Sequence, residues 1–467
     1  MTGTSMADQQ AKFLTGNLFK HVTVMSLTAS IGLVAIFLVD LVDMIFISML
    51  GRDELAAAVG YAGAILFFTT AFSIGMAISA GALVARALGE GDQHKARRRA
   101  ATSTIYGFVI ASIFSAIVWF NLESLAALMG ASGPTLDLSV HYMQIIVPSL
   151  PILMLGMVGG AILRAHGDAR RAMMATLLGG VVNGVLDPIL IFGLGLDLTG
   201  AALASVAARI TIGFCSMYPV FKHYGGFDKP TSAEMRVDLP DIAAIAGPAI
   251  LTQFATPVGQ AFVTRSMSEF GEEAVAGMAI VGRLVPVAFG AIFALSGAVG
   301  PIIGQNYGAG QHDRVRGAFR DAMIFTAIWV VGAALLLFLL REPLAGLFNA
   351  EGMAVSLLFL FCGPLALMYI FDGLIFVGNA SFNNLGHPFY STMINWGRQT
   401  LGTIPCVTIG ASLWGAPGIL IGQSVGGAIF GLISLFLVLR VMDVRKPHEH
   451  GEFAREGRQM SLWHTRR

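Results

Sequence analysis

Charge is the scarcest property of this chain of 467 residues: Asp, Glu, Lys and Arg together make up 12% of it, where roughly 25% is usual for a soluble domain. A water-soluble globule of this size cannot be covered with so little charge. What charge there is nearly cancels, 29 Lys and Arg against 28 Asp and Glu, so no broad basic field argues for nucleic acid as a partner. Cysteine is almost missing too. Cys215, Cys362 and Cys406 all fall inside apolar stretches without CxxC or Cys/His spacing, which argues against a disulfide framework or a zinc site. No Gly-x-x-x-x-Gly-Lys-Ser/Thr run occurs, so ATP is not expected as a direct energy source.

Apolar sequence is what the chain has in quantity, 55% of its residues. It comes in twelve runs, near 21–50, 57–85, 101–120, 138–163, 173–195, 199–221, 242–268, 275–304, 321–340, 354–383, 390–412 and 414–439. Each is long enough to cross a hydrocarbon core as a helix. The fold class expected is therefore an all-α integral membrane protein with twelve transmembrane helices and the lipid bilayer as its surroundings. The first run is too long for the apolar region of a signal peptide, and no small-residue cleavage site follows it. With twelve spans both ends lie on one side, and the Lys and Arg census names that side. One set of connecting segments carries Lys12, Lys20, Arg86, Lys95, Arg97, Arg98, Arg99, Arg164, Arg170 and Arg171, among others, and the opposite set only Arg52 and Arg341. The positive-inside rule then makes both termini cytoplasmic. Arg209, Arg265, Arg283 and Arg398 lie inside or at the ends of spans, where snorkelling or pairing is the ordinary state.

The sequence repeats itself at a shift of 219 residues, which sets Gly89, Gly91 and Arg97 over Gly308, Gly310 and Arg316, and RAHGDA at 164–169 over NNLGHP at 383–388. Two six-helix lobes follow, 1–225 and 241–445, with a polar linker at 226–240 and a tail at 446–467. An even number of spans per copy gives both copies one orientation, related by a pseudo-twofold axis along the membrane normal, as in transporters that alternate access to a midplane site. The 56 glycines, about 12% where 7% is usual, allow close helix contacts and bending.

A carboxyl within a span is costly and marks function by default. Four qualify: Asp40 and Asp43 in span 1, Asp187 in span 5 and Asp372 in span 10. Asp40 and Asp43, three apart, share a helix face, and two carboxyls in one low-dielectric cavity titrate as a coupled pair. Asn183 and Asp187 are four apart on one face. Pro188 cannot donate its N–H, which frees the carbonyl of Gly184 and favours a kink beside Asp187. These groups form a plausible proton or cation site. Asp372 has no acidic counterpart in the first half, where Leu153 stands. Span 7 adds Gln253, Thr256 and Gln260 with Pro248 and Pro257, a polar wall for substrate.

At these residues the chain resembles the multidrug and toxic compound extrusion (MATE) family over nearly its whole length. The resemblance is carried by LVDMIFISMLGRDELAA at 41–57, LVARALGEGD at 83–92, LRAHGDARRAMM at 163–174, VNGVLDPILIFGLGLDLTGAALAS at 182–205 and IIGQNYGAGQHDRVR at 302–316. It implies two six-helix lobes in a V and secondary export of organic cations or other drug-like small molecules in exchange for H+ or Na+, with no other cofactor. It also implies a bacterial inner-membrane location and a monomer. The family's functional Asp of span 1 maps onto Asp43, and its Asn-x-x-x-Asp-Pro onto Asn183 and Asp187, linked in some members to bending of span 1. Sodium-coupled members carry a Glu in span 7 where this chain has Thr256, which favours protons, and an Asp in span 10, which Asp372 resembles. The coupling set is thus Asp43, Asp187, Asn183, Asp40 and Asp372, and the substrate set Asp43, Asp187, Asp372, Gln253, Thr256 and Gln260.

The main alternative is a flippase for a lipid-linked substrate of the same wider superfamily, disfavoured because the cavity groups are acidic. Gly89-Glu90-Gly91-Asp92 fits a Gly-x-Gly-Asp intramembrane protease pattern, but no Tyr-Asp dipeptide supplies a paired aspartate. His448 and His450 belong to a solvated tail rather than a metal site.

Overall fold

The computed structural model describes residues 11–443, and every regular element among them is helical. In chain order these are α1 (Leu18–Met49), α2 (Asp53–Gly89), α3 (Gln93–Phe120), α4 (Leu122–Leu128), α5 (Gly133–Ile146), α6 (Leu150–Ala165), α7 (Ala169–Pro188) and α8 (Asp197–His223). The second half supplies α9 (Ser232–Ser268), α10 (Glu272–Gly308), α11 (His312–Leu347), α12 (Gly352–Leu360), α13 (Ala366–Leu385), α14 (Pro388–Gly397), α15 (Thr403–Trp414) and α16 (Ala416–Asp443). Among the described residues, eleven helical segments are long and apolar enough to cross a membrane. The remaining expected span, 390–412, is present as α14 and α15 joined by the π-helical turn Arg398–Gly402, with Asn395, Arg398 and Gln399 at its middle.

The repeat read from the sequence is visible in the backbone. Gly91 and Gly310, Gly133 and Gly352, and Gly167 and Gly386 all adopt positive φ, and Gly130 is matched by Asn349. A side chain is disfavoured at such φ, so glycine ends the helices there. After Gly91 and Gly167 the chain closes the same way: Asp92 N–H bonds the Ala87 carbonyl at 3.1 Å and Asp168 N–H that of Leu163 at 2.9 Å. Each Asp then caps the next helix, Asp92 accepting from Lys95 N–H and Asp168 from Arg171 N–H. Asp92 of the Gly-x-Gly-Asp pattern is therefore a helix cap.

The described residues form two compact units, one of 11–12 and 31–246, the other of 13–30 and 247–443. In the first, α2 packs on α3 and α6, and α8 on α6 and α7. The second repeats the pattern with α10 on α11 and α13, and α16 on α13 and α15. Glycine makes the last contact possible. A Cβ on Gly418 would lie 1.9 Å from the Gly410 carbonyl oxygen, and one on Gly422 2.3 Å from that of Cys406, so Gly418, Gly422 and Gly426, four apart, bring α16 backbone to backbone with α15.

The unit boundaries differ from the expected 225 and 241. Residues 232–240 of the expected linker are helical, opening with a reciprocal cap in which Thr231 N–H donates to Glu234 Oε2 at 2.8 Å and Glu234 N–H to Thr231 Oγ1 at 3.3 Å. This is a Thr-x-x-Glu capping box, legible in the sequence but masked by the surrounding polar composition. Glu234, Asp238 and Asp241 then share a helix face. Arg98 donates to both oxygens of Asp238 at 3.1 and 3.2 Å, Thr102 adds 3.1 Å, and Arg99 meets Asp241 at 2.9 Å. Residues 13–16 are likewise tied to the second unit: Phe13 N–H donates to Gln305 Oε1 at 2.9 Å, and Arg314 Nη2 to the Phe13 carbonyl at 2.8 Å. The expected tail, 446–467 with His448 and His450, lies outside the described residues.

Candidate functional site

In the first unit the span-1 and span-5 acids meet. Asn183 Nδ2 donates one hydrogen to Asp43 Oδ1 at 2.8 Å and the other to Asp187 Oδ2 at 2.9 Å. The two carboxyls thus share one amide as their common donor and lie near enough to feel each other's charge. Asp187 is fully buried, and its Oδ1 has no hydrogen-bond partner. An unpaired carboxylate oxygen in such surroundings is costly, and a proton relieves the cost. Helix α7 sets the spacing: Asn183 and Asp187 are one turn apart, and the turn after Pro188 widens into a π-helix, Ile189–Gly193. The kink expected from Pro188 takes this form, and π-turns are frequent at functional sites.

Around these groups stand residues the sequence reading did not select. Tyr142 on α5 is hydrogen-bonded to Ser205 and lies in the fields of Asp43, Asp187 and Arg209. Arg209 Nη1 donates to the Ile146 carbonyl at 3.2 Å and to Ser149 Oγ at 3.0 Å, where the helix breaks into the 3-10 turn Val147–Ser149. An Arg in an apolar run was a visible signal. Its oxygens, however, come from a turn about 60 residues away in sequence, which no local pattern reveals. Ile47, Tyr142, Met143, Ile146 and Ile191 are buried in one cluster, an apolar setting that strengthens every charge interaction nearby. Asp40 lies one turn before Asp43 on α1, and its side chain lies outside the described residues.

In the second unit Asp372 on α13 pairs with Arg398, the first residue of the π-helical turn. Sequence reading left Asp372 as an open ligand for a cation; here a guanidinium from the next span answers its charge. One turn before it, Tyr369 stacks on Phe289 with ring centroids 4.1 Å apart. Phe289 in turn sits at a non-helical kink of α10, φ −115 and ψ 15. Asn379 and Asn383 hold α13 to α14: Asn395 Nδ2 donates to Asn379 Oδ1 at 3.0 Å and Ser391 Oγ to Asn383 Oδ1 at 3.3 Å. On α9 it is Thr252 that bonds across, meeting Thr392 at 3.2 Å. Thr256 and Gln260 are exposed and Gln253 is half-buried; their side chains appear in no hydrogen bond with the described residues.

The MatE family profile matches residues 29–189 and 248–408. A FAD transporter of Shewanella oneidensis is 28% identical over 90% of this chain and 94% of its own length. The multidrug export protein MepA of Staphylococcus haemolyticus is 24% identical, covering 93% and 96%. Among solved structures, the Vibrio cholerae MATE transporter VcmN in its bent form superposes with a TM-score of 0.86 at 25% identity over 92% of this chain and 98% of that one.

Proposed function

We propose that this chain, which belongs to the MatE family of multidrug and toxic compound efflux transporters, is a proton-coupled secondary exporter of amphipathic small molecules from the bacterial cytoplasm. The observation that carries this reading is the single Asn183 amide nitrogen shared between Asp43 and Asp187, with one Asp187 oxygen buried and unpaired. With one shared proton the pair carries a net negative charge and attracts a cationic substrate into apolar surroundings. A second proton, taken from outside, removes that attraction and weakens the charge-assisted bonds by which the Asn183 amide ties the two carboxyls together. Substrate is then released outward, and loss of the proton to the cytoplasm resets the site. Each unit of pKa difference between the loaded and empty states corresponds to about 1.4 kcal/mol, so a difference of two units changes substrate affinity about a hundredfold. The inner membrane, with both termini cytoplasmic, is the placement that the Lys and Arg census supports.

A second substrate reading, a compound carrying phosphate, is favoured by Arg398 in the other unit and by the FAD transporter among the relatives.

The test is transport of a fluorescent cationic dye by purified protein in liposomes, under a proton gradient and a sodium gradient imposed separately. Movement driven by protons and lost in Asp187→Asn is expected. Proton-driven transport that survives in both Asp187→Asn and Asp43→Asn would overturn the coupling scheme, and a response to sodium alone would move the coupling ion elsewhere.

A further inference from the structure

Arg398 is a guanidinium in the middle of an apolar span, and its only bonded partner among the described residues is Asp372. A guanidinium has five N–H donors, so this contact leaves most of them unused. The two side chains keep 17% and 14% exposure. Unanswered guanidinium donors are costly against lipid, so the remaining donors call for a polar partner. The place of Arg398 is built by the backbone. The π-turn Arg398–Gly402 separates α14 from α15, and the guanidinium packs over Gly427 of α16, Nε and Nη2 lying at ordinary van der Waals distance, 3.7 Å, from its Cβ position. The neighbouring Gln399 side chain is pressed on Gly259 of α9, where any Cβ would lie 1.9 Å from Gln399 Oε1. Thr256 and Gln260 flank that contact and are exposed.

We propose that Arg398 is a substrate-binding residue that takes the phosphate or carboxylate of an aromatic or otherwise amphipathic anion, with Asp372 as the competing carboxylate that limits its affinity. The inference deepens the second substrate reading, a compound carrying phosphate, and rests on it. The chemistry is that of a fork of N–H donors meeting an oxyanion, the strongest type of side-chain hydrogen bonding available in this unit. The acid matters because it competes: a carboxylate already on the guanidinium keeps anion binding weak enough for release, as transport requires.

The experiment measures equilibrium binding to the full-length protein in detergent, with no gradient, so that failure of proton coupling leaves it intact. The probes are 4-methylumbelliferone and its phosphate monoester, which differ only in the phosphate. The wild type is expected to bind the phosphate ester about 10-fold or more tightly than the parent phenol, the value of one charge-assisted hydrogen bond. Arg398→Gln removes that preference while phenol binding stays, and Asp372→Asn enlarges it. An ion pair with a purely structural role makes Asp372→Asn lose the preference along with Arg398→Gln. That outcome overturns the proposal, as does a wild type that binds the ester no better than the phenol or not at all. If Arg398→Gln fails to fold, Asp372→Asn alone decides, since the two accounts give it opposite signs.

Discussion

Asn183 Nδ2 lies 2.8 Å from Asp43 Oδ1 while keeping a 2.9 Å bond to Asp187 one turn away on its own helix. This amide therefore couples the C-terminal half of α1 to the ionisation state of α7. Replacing Asn183 with Leu leaves both carboxyls without their common donor. A hydrogen bond to a charged group contributes about 1.5–3 kcal/mol, so proton-driven efflux is expected to fall by about 10- to 100-fold. Proteoliposome transport under a fixed proton gradient checks this, and wild-type rates in Asn183→Leu would remove the amide from the mechanism.

Tyr142 stands among Asp43, Asp187 and Arg209 with its hydroxyl on Ser205. Tyr142→Phe removes one neutral hydrogen bond, worth about 0.5–1.5 kcal/mol. The pH midpoint of transport is expected to move by up to about one unit with the maximal rate largely kept. A pH–rate profile that superposes on the wild type would show that the hydroxyl does not act on the acids.

The corner between α6 and α7 supplies a pH dependence of stability. Burial lowers the pKa of His166 below the ordinary histidine value, outweighing the raising effects of its bond to the Ile162 carbonyl and of Asp168. The ring is neutral in the fold but becomes charged in the unfolded chain, so stability declines as pH falls below about 6.5. For Asp168, burial acts upward but is outweighed by the Tyr224 hydroxyl and by the Arg171 N–H and guanidinium, leaving the carboxyl below its usual range. Its contribution is complete above about pH 3.9 and is lost at lower pH as it protonates in the fold. Thermal unfolding of detergent-solubilised protein between pH 8 and pH 5 is expected to show the histidine stage. Its persistence unchanged in His166→Gln would assign that stage to other groups.

Asp238 is 1% exposed and answers Arg98 through both its oxygens. Removing one partner of a buried pair costs about 3–5 kcal/mol, because the other charge is left behind. Asp238→Ala is expected to lower stability by that order, whereas exposed Arg236→Ala on the same helix should have little effect. Limited proteolysis around residues 225–231 reads the difference.

Gly422 faces the Cys406 carbonyl with no room for a methyl group. Overpacking of this kind costs about 1–3 kcal/mol, more where the obstacle is backbone. Gly422→Ala is therefore expected to lower the unfolding temperature measurably, and Gly422→Leu to prevent accumulation of folded protein. An unchanged melting curve in Gly422→Ala would mean that α16 shifts freely on α15.

The sequence by itself determined the environment, the number of spans and the repeat. Apolar length and scarce charge leave a bilayer as the only solvent for this chain, and the shift of 219 recurs as matched positive-φ residues at Gly91 and Gly310 and at Gly167 and Gly386. It also singled out Asp43, Asn183 and Asp187, because polar groups in apolar runs stand out one at a time. Only the tertiary structure decided how such groups are partnered. Asp372 reads as an open acid until Arg398 arrives from the next span, and Arg209 reads as a snorkelling cation until the Ile146 carbonyl and Ser149 receive it. Residues 232–240 read as a linker until Arg98 and Arg99 bind the acidic face of their helix. The reason is physical: a helix pattern reports spacing along one segment, whereas the pairing of a buried charge depends on which segment packs beside it.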